Sequence, residues 1–188
     1  MGRWEPGASN RLHEAAVELY LERGFEQTMV VDIAARAGVT ARTFFRHYAD
    51  KREVFFAGSA EIQDKAVAAL EAAPDSAPAL DAVSAALEAA AETVGSDRDL
   101  VRKRRIVIQA TPELQERDLI KLASMSGALA GGLRRRGVDG EDARLAAEVG
   151  LAVYRVAFDR WLNATEDDDL GEAIRESLGR LRTLACSA

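Results

Sequence analysis

Nearly every segment of this chain repeats its apolar residues at helical rather than strand period. Leu12, Ala16, Leu19 and Tyr20 share one face of a first helix, which Ser9 is placed to cap and Gly24 to end. Val30, Ile33, Ala34 and Ala37 point inward from a second, over about 29–37, that stops at Gly38. Thr40 caps a third, over about 41–47. A long fourth helix is predicted from Lys51 to Ala72, halted near Pro74. Pro78 suits a first helical position and Gly95 closes that fifth helix. Ser96 or Asp97 opens a sixth that reaches Ala110, and Thr111-Pro112-Glu113 opens a seventh that ends near Gly137. Asp139 caps an eighth through Asn163, and the acidic run 166–169 introduces a ninth over about 170–184. No turn dipeptide flanked by alternating apolar residues marks a hairpin. The predicted fold is all-α: three short helices, then six longer ones.

Gly38 between the second and third helices makes the corner of a helix-turn-helix, because glycine alone enters the left-handed region without penalty. In that motif one helix braces and the next enters the DNA major groove, its early positions meeting base edges. Ala41, Arg42 and Thr43 hold those positions. Arginine can bond two guanine acceptors at once, and threonine offers a hydroxyl and a methyl for thymine. Arg46, His47 and Lys51 lie on later turns, where phosphate contact fixes register. Taken singly, each is an ordinary surface charge; the motif gives them a shared purpose.

Charge sharpens this picture. The chain of 188 residues carries a formal net charge of -6, which argues against a general nucleic-acid coat. Within 36–52, however, Arg36, Arg42, Arg46, Lys51 and Arg52 face only Asp50, a local balance of +4. The single cysteine, Cys186, can form no internal disulfide, and with two histidines it makes no ordinary zinc site. Without a run long enough to span a membrane and without a signal-peptide core, the reading is a cytoplasmic protein. No phosphate loop, HExxH or nucleophile elbow points to catalysis, and no cofactor is called for.

Gly24-Phe25, Asp32-Ile33-Ala34, Ala37-Gly38-Val39 and the run from Thr43 to Lys51 closely resemble the N-terminal domain of the TetR family, over residues 9–56. The remainder resembles that family in length and helical pattern. The resemblance implies a helix-turn-helix DNA-binding domain over 1–50 and a helical ligand-binding and dimerisation domain over 51–188. It also implies a homodimeric repressor that binds a palindromic double-stranded DNA operator and is released by a small-molecule effector. By position, Ala41, Arg42 and Thr43 match base-facing residues, while Phe45, His47 and Lys51 match phosphate-gripping ones; Thr40 belongs to the same interface. Two departures stand out. Phe45 replaces the usual tyrosine and lacks its hydroxyl. Met29 replaces the usual threonine or serine, leaving Thr28 as the nearest side-chain cap.

In the longer helices, spaced apolar residues read first as a helical core. The resemblance implies a cavity among them that Met125, Tyr154, Phe158 and Trp161 would line, suited to a hydrophobic or amphipathic effector. Arg134-Arg135-Arg136 precede Gly137 at a helix C-terminus, where the dipole favours cations. Arg102-Lys103-Arg104-Arg105 spread around a helix, so some must meet protein or ligand. The stretch from Arg102 to Arg117 resembles an actinobacterial, mycofactocin-regulator-like subtype of the same family. That likeness makes Arg102 a candidate for a phosphate-bearing, acyl-coenzyme-A-like effector. Leu145, Val149, Val153, Val156, Ile174, Leu178 and Leu181 form stripes that complete the monomer or, with the resemblance, a two-fold four-helix dimer interface. The rival readings are a small helical enzyme or carrier with a vestigial DNA-binding head, and a TetR-like activator.

Overall fold

The computed structural model describes residues 7–95, 97–164 and 168–186. Among them lie helices α1 (Ala8–Arg23), α2 (Val30–Arg36), α3 (Ala41–His47), α4 (Ser59–Ala72), α5 (Ala79–Val94), α6 (Arg98–Ala110), α7 (Pro112–Arg135), α8 (Gly140–Asn163) and α9 (Leu170–Cys186), with a 3-10 turn at Glu53–Phe56. No strand occurs among the described residues. Ser96 and residues 166 and 167, to which helix starts were assigned, lie outside them.

Two expected boundaries move. Ser9 lies inside α1, whose N-cap is Gly7 in the left-handed region at φ 91°. Its hydroxyl instead meets the Tyr48 hydroxyl at 2.5 Å, tying α1 to the end of α3. The fourth helix starts at Ser59, not Lys51, because Val54, Phe55 and Phe56 are all buried. Successive residues of the 3-10 turn point about 120° apart, so burial of all three means that core surrounds the turn. Gly58 at φ 78° then redirects the chain into the helix.

The chain forms two compact units. The first joins 1–59 with 99–119, the second 60–98 with 120–188. In the first, Leu12, Ala16, Tyr20, Ile33, Phe44, Val54 and Phe55 share a core with Val107 and Ile108 of α6 and Leu114 of α7. The basic run of α6 is part of this packing: the Arg104 guanidinium lies 5.7 Å from the Phe55 ring. Arg117 of α7 pairs with Glu53 at 2.5 Å.

In the second unit α5, α8 and α9 pack on one another. Alanine and glycine let them approach closely: a Cβ on Gly150 of α8 would stand 2.3 Å from Val83 Cγ1 of α5. Ile174 and Leu178 of α9 and Val153 of α8 are buried within the chain's own packing. Leu145 and Val156 are exposed, as is Leu184; Val149 and Leu181 are half-buried. A side chain that fills its own chain's core presents no open face, so only the exposed and half-buried members of that stripe reach the surface.

Candidate nucleic-acid interface

The corner between α2 and α3 is built as its sequence requires. Gly38 takes φ 70°, and Val39 N–H turns back to Ala34 O at 2.9 Å. The Thr40 hydroxyl caps α3 by accepting from Thr43 N–H at 3.2 Å. The two threonine hydroxyls also lie 3.1 Å apart. At the start of α2, Asp32 reaches back to accept from Met29 N–H at 3.0 Å, giving the helix a carboxylate where its dipole favours one.

Phe44 anchors α3 with no exposed surface, 5.7 Å from the Tyr48 ring. With Phe44 inside, Arg42, Phe45 and Arg46 stand outside, and Ala41 and Thr43 are partly open. Phe45 is 58% exposed, a large apolar ring held in water beside two arginines. No hydrogen bond or ion pair engages the Arg42 or Arg46 side chain among the described residues.

The other cations of the basic window are engaged. Arg36 donates to Glu18 at 3.0 Å and to Glu22 at 2.9 Å, strapping α2 to α1. The same bond holds the Glu22 carboxyl below its ordinary range. Arg52 pairs with Asp50 at 2.7 Å and keeps that carboxyl low as well. Lys51 turns inward: Nζ donates to Phe25 O at 2.8 Å and Thr28 O at 3.2 Å, and lies 4.1 Å from the centre of the Phe25 ring. Two of its three protons therefore hold the α1–α2 connection.

Thr28 is 1% exposed and donates to Gly24 O at 2.8 Å. The hydroxyl serves the loop before α2 rather than an open surface, and the N-cap of α2 is Met29. His47 is half-buried, and its Nε2 is shielded from solvent with no hydrogen-bond partner among the described residues. Sequence spacing places Tyr20 on the apolar face of α1 but does not reveal the bond of its hydroxyl, which donates to Lys51 O at 2.6 Å. Burial, helped by Asp50, pushes that hydroxyl's pKa up. Nor did it reveal His13, whose Nδ1–H donates to Val54 O at 2.9 Å. Burial lowers the His13 pKa against the effect of that bond, and Arg104 adds to the lowering. No local pattern marks these bonds, since their partners lie 31 and 41 residues away.

The candidate effector residues divide between the units. Arg102 belongs to the first and pairs with Asp99 at 3.4 Å. Met125, Tyr154, Phe158 and Trp161 belong to the second. There the aromatic rings follow one another along α8, Tyr154 to Phe158 at 5.7 Å and Phe158 to Trp161 at 5.9 Å. Trp161 is buried, its Nε1–H donating to Asp168 O at 2.9 Å and the Arg98 guanidinium 4.8 Å from its ring. Met125, Tyr154 and Phe158 are half-buried. Among the described residues no cluster of acidic, histidine or cysteine side chains is arranged to hold a metal ion. No helix among them is long and apolar enough to cross a membrane.

Residues 12–57 match the sequence profile described as bacterial regulatory proteins of the tetR family. Residues 77–185 match the profile of the MftR C-terminal domain. The HTH-type transcriptional regulator TcmR of Streptomyces glaucescens is 35% identical over 185 residues, covering 92% of this chain and 82% of that protein. The mycofactocin biosynthesis regulator MftR of Mycobacterium tuberculosis is 30% identical over 182 residues, covering 95% and 89%. Among solved structures, FadR of Thermus thermophilus, a repressor in complex with lauroyl-CoA, superposes with a TM-score of 0.55. It is 22% identical over 90% of this chain and 91% of that one.

Proposed function

The chain belongs to the TetR family of bacterial regulatory proteins and is a transcriptional regulator, not an enzyme, and from that premise we propose that it represses transcription as a homodimer on a palindromic operator. The observation that carries this reading is the outer face of α3. Arg42 and Arg46 stand there exposed and unengaged, while Arg36 and Arg52 are paired with carboxylates at the surface and Lys51 turns inward. Ala41, Arg42 and Thr43 meet base edges, Arg46 meets phosphate, and Phe45 lies against the sugar–phosphate edge without a hydroxyl to donate. His47 lies under this face, and Lys51 braces the connection before α2 through Phe25 O and Thr28 O.

A palindrome needs two recognition helices about 34–36 Å apart. The second copy is joined through the surface members of the α8 and α9 stripes, Leu145, Val149, Val156 and Leu181, continued by the exposed Leu184. Reading lies in residues 1–50 and sensing in 51–188, and the protein works in the cytoplasm, where its operator is. An effector acts in proportion to its preference for a dimer whose heads no longer match successive grooves.

The half-buried Tyr154 and Phe158, with Met125 and Trp161, suit a hydrophobic or amphipathic effector. A related fold holds lauroyl-CoA in Thermus thermophilus FadR. This likeness supports an acyl-coenzyme-A-like molecule as the candidate to test first. Footprinting beside the protein's own gene tests the operator: a protected palindrome is expected, and no sequence-selective binding would overturn the reading. Transcription from that promoter should rise when the protein is withheld; a fall would mark an activator. Long-chain acyl-coenzyme A should release the complex, and no release at saturation would remove that effector class.

A further inference from the structure

An opening lies wholly within the first compact unit. It is a cleft of about 450 Å³ between the α1–α2 connection and the junction of α6 with α7. That is within the range of about 300–1,000 Å³ typical of small-molecule sites. Leu21 and Ile106 line it while remaining 40% and 58% exposed, beside the buried Phe25. Large apolar side chains left open on facing walls gain by being covered.

Its charged groups are mainly acidic. Arg23 lines the cleft but pairs with Asp32 at 3.5 Å. Glu26 and Glu113 also line it, and neither has a cationic partner among the described residues. Thr111 lines it too, only 7% exposed, and its hydroxyl has no hydrogen-bond partner among the described residues. Apolar walls and two carboxylates without a cationic partner describe the complement of an organic cation with an apolar body.

We propose that this cleft is a small-molecule site for amphipathic organic cations, separate from the effector residues of α8. The apolar body covers Leu21, Phe25 and Ile106, and the positive charge is met by Glu26 and Glu113. The same Phe25 that lines the cleft carries the carbonyl and ring that hold Lys51, so occupancy stiffens the connection that braces α2.

The test uses the full chain without DNA and two ions of the same shape and opposite charge, tetraphenylphosphonium and tetraphenylborate. Calorimetry should show the cation bound at least about tenfold more tightly than the anion, because only its charge is opposed by the carboxylates. Both glutamates are exposed, so the double variant Glu26→Gln with Glu113→Gln keeps the fold. It should weaken the cation by about tenfold. In protein labelled at isoleucine methyls, the Ile106 signal should shift on titration while that of Ile174, buried in the second unit, stays put. Equal binding of the two ions would overturn the proposal, as would no binding of the cation up to about 1 mM. So would an unchanged affinity in the double variant, or shifts that spare Ile106. None of these outcomes bears on operator binding, which is measured separately.

Discussion

Lys51 separates a brace from a phosphate contact in one substitution. Lys51→Met keeps most of the side chain's length and apolar stem and removes the ammonium. In the structure that ammonium donates to Phe25 O and Thr28 O and faces the Phe25 ring. Hydrogen bonds from a charged donor contribute about 1.5–3 kcal/mol, and a cation over an aromatic face adds about 0.5–1 kcal/mol at a partly open site. Lys51 is half-buried, so water replaces part of what is lost. A net destabilisation of about 2 kcal/mol is expected, or about 4–8 °C in melting temperature for a chain of this size. Thermal unfolding followed by circular dichroism measures it. Operator affinity should fall because α2 loses its brace, while the dependence of log K on log salt keeps its slope. A lysine on phosphate would instead leave the melt unchanged and reduce the slope by about 0.9 per subunit. That pair of results would refute the brace.

Three further perturbations check other parts of the structure. Arg42→Ala should relax base preference at one position of each half-site, costing about 1–3 kcal/mol there; a uniform loss across all sequences, read by competition binding, would contradict base contact. Gly150→Ala forces a methyl into the space of Val83 Cγ1, 2.3 Å away, and should destabilise by about 1–3 kcal/mol in urea unfolding. Gly132→Ala meets the end of the Leu70 side chain at 2.9 Å and should cost less; an undiminished stability of Gly150→Ala would show that α5 and α8 part freely. His13 has its folded pKa below the ordinary 6.5, so in falling pH the unfolded chain takes up a proton that the folded chain still refuses. Stability should therefore fall as pH drops below about 6.5, and His13→Gln should flatten that loss; parallel pH curves would show that the ring is not held neutral.

The turn at Gly38 and the cap at Thr40 were legible because each depends on residues three or four apart. What escaped was settled at long range. Nothing local distinguishes Lys51 on phosphate from Lys51 on the carbonyl of Phe25, 26 residues earlier. With Met29 in place of the family's usual threonine or serine, Thr28 is the nearest side-chain cap by position, but its hydroxyl turns back to Gly24. Periodicity carries the fourth helix back to Lys51 because Val54, Phe55 and Phe56 can extend a helical pattern or terminate it. Only the presence of a core on all sides of that turn chooses. The α8 and α9 stripes show the same limit. Periodicity assigns Leu145 and Ile174 equally to an apolar face. Burial then separates them, 61% exposed against 0%: Ile174 lies within the packing of α5, α8 and α9, and Leu145 stays open among the described residues.

The internal use of charge bears directly on how such a head would tell DNA sequences apart. Five cations stand in 36–52, and if all met phosphates or bases a dimer would show a salt slope of about −9. Arg36, Lys51 and Arg52 are held by carboxylates or carbonyls, which leaves Arg42 and Arg46 and a slope of about −3.6. A shallow slope means weak attraction to DNA in general, and the chain's net charge of -6 weakens it further away from α3. Affinity then depends on base edges and on backbone N–H groups at helix starts, which choose a sequence or a register rather than any duplex. Salt titration on operator and on unrelated DNA measures this. A slope near −9 would mean that the carboxylates of Glu18, Glu22 and Asp50 give up their arginines to the phosphates on binding.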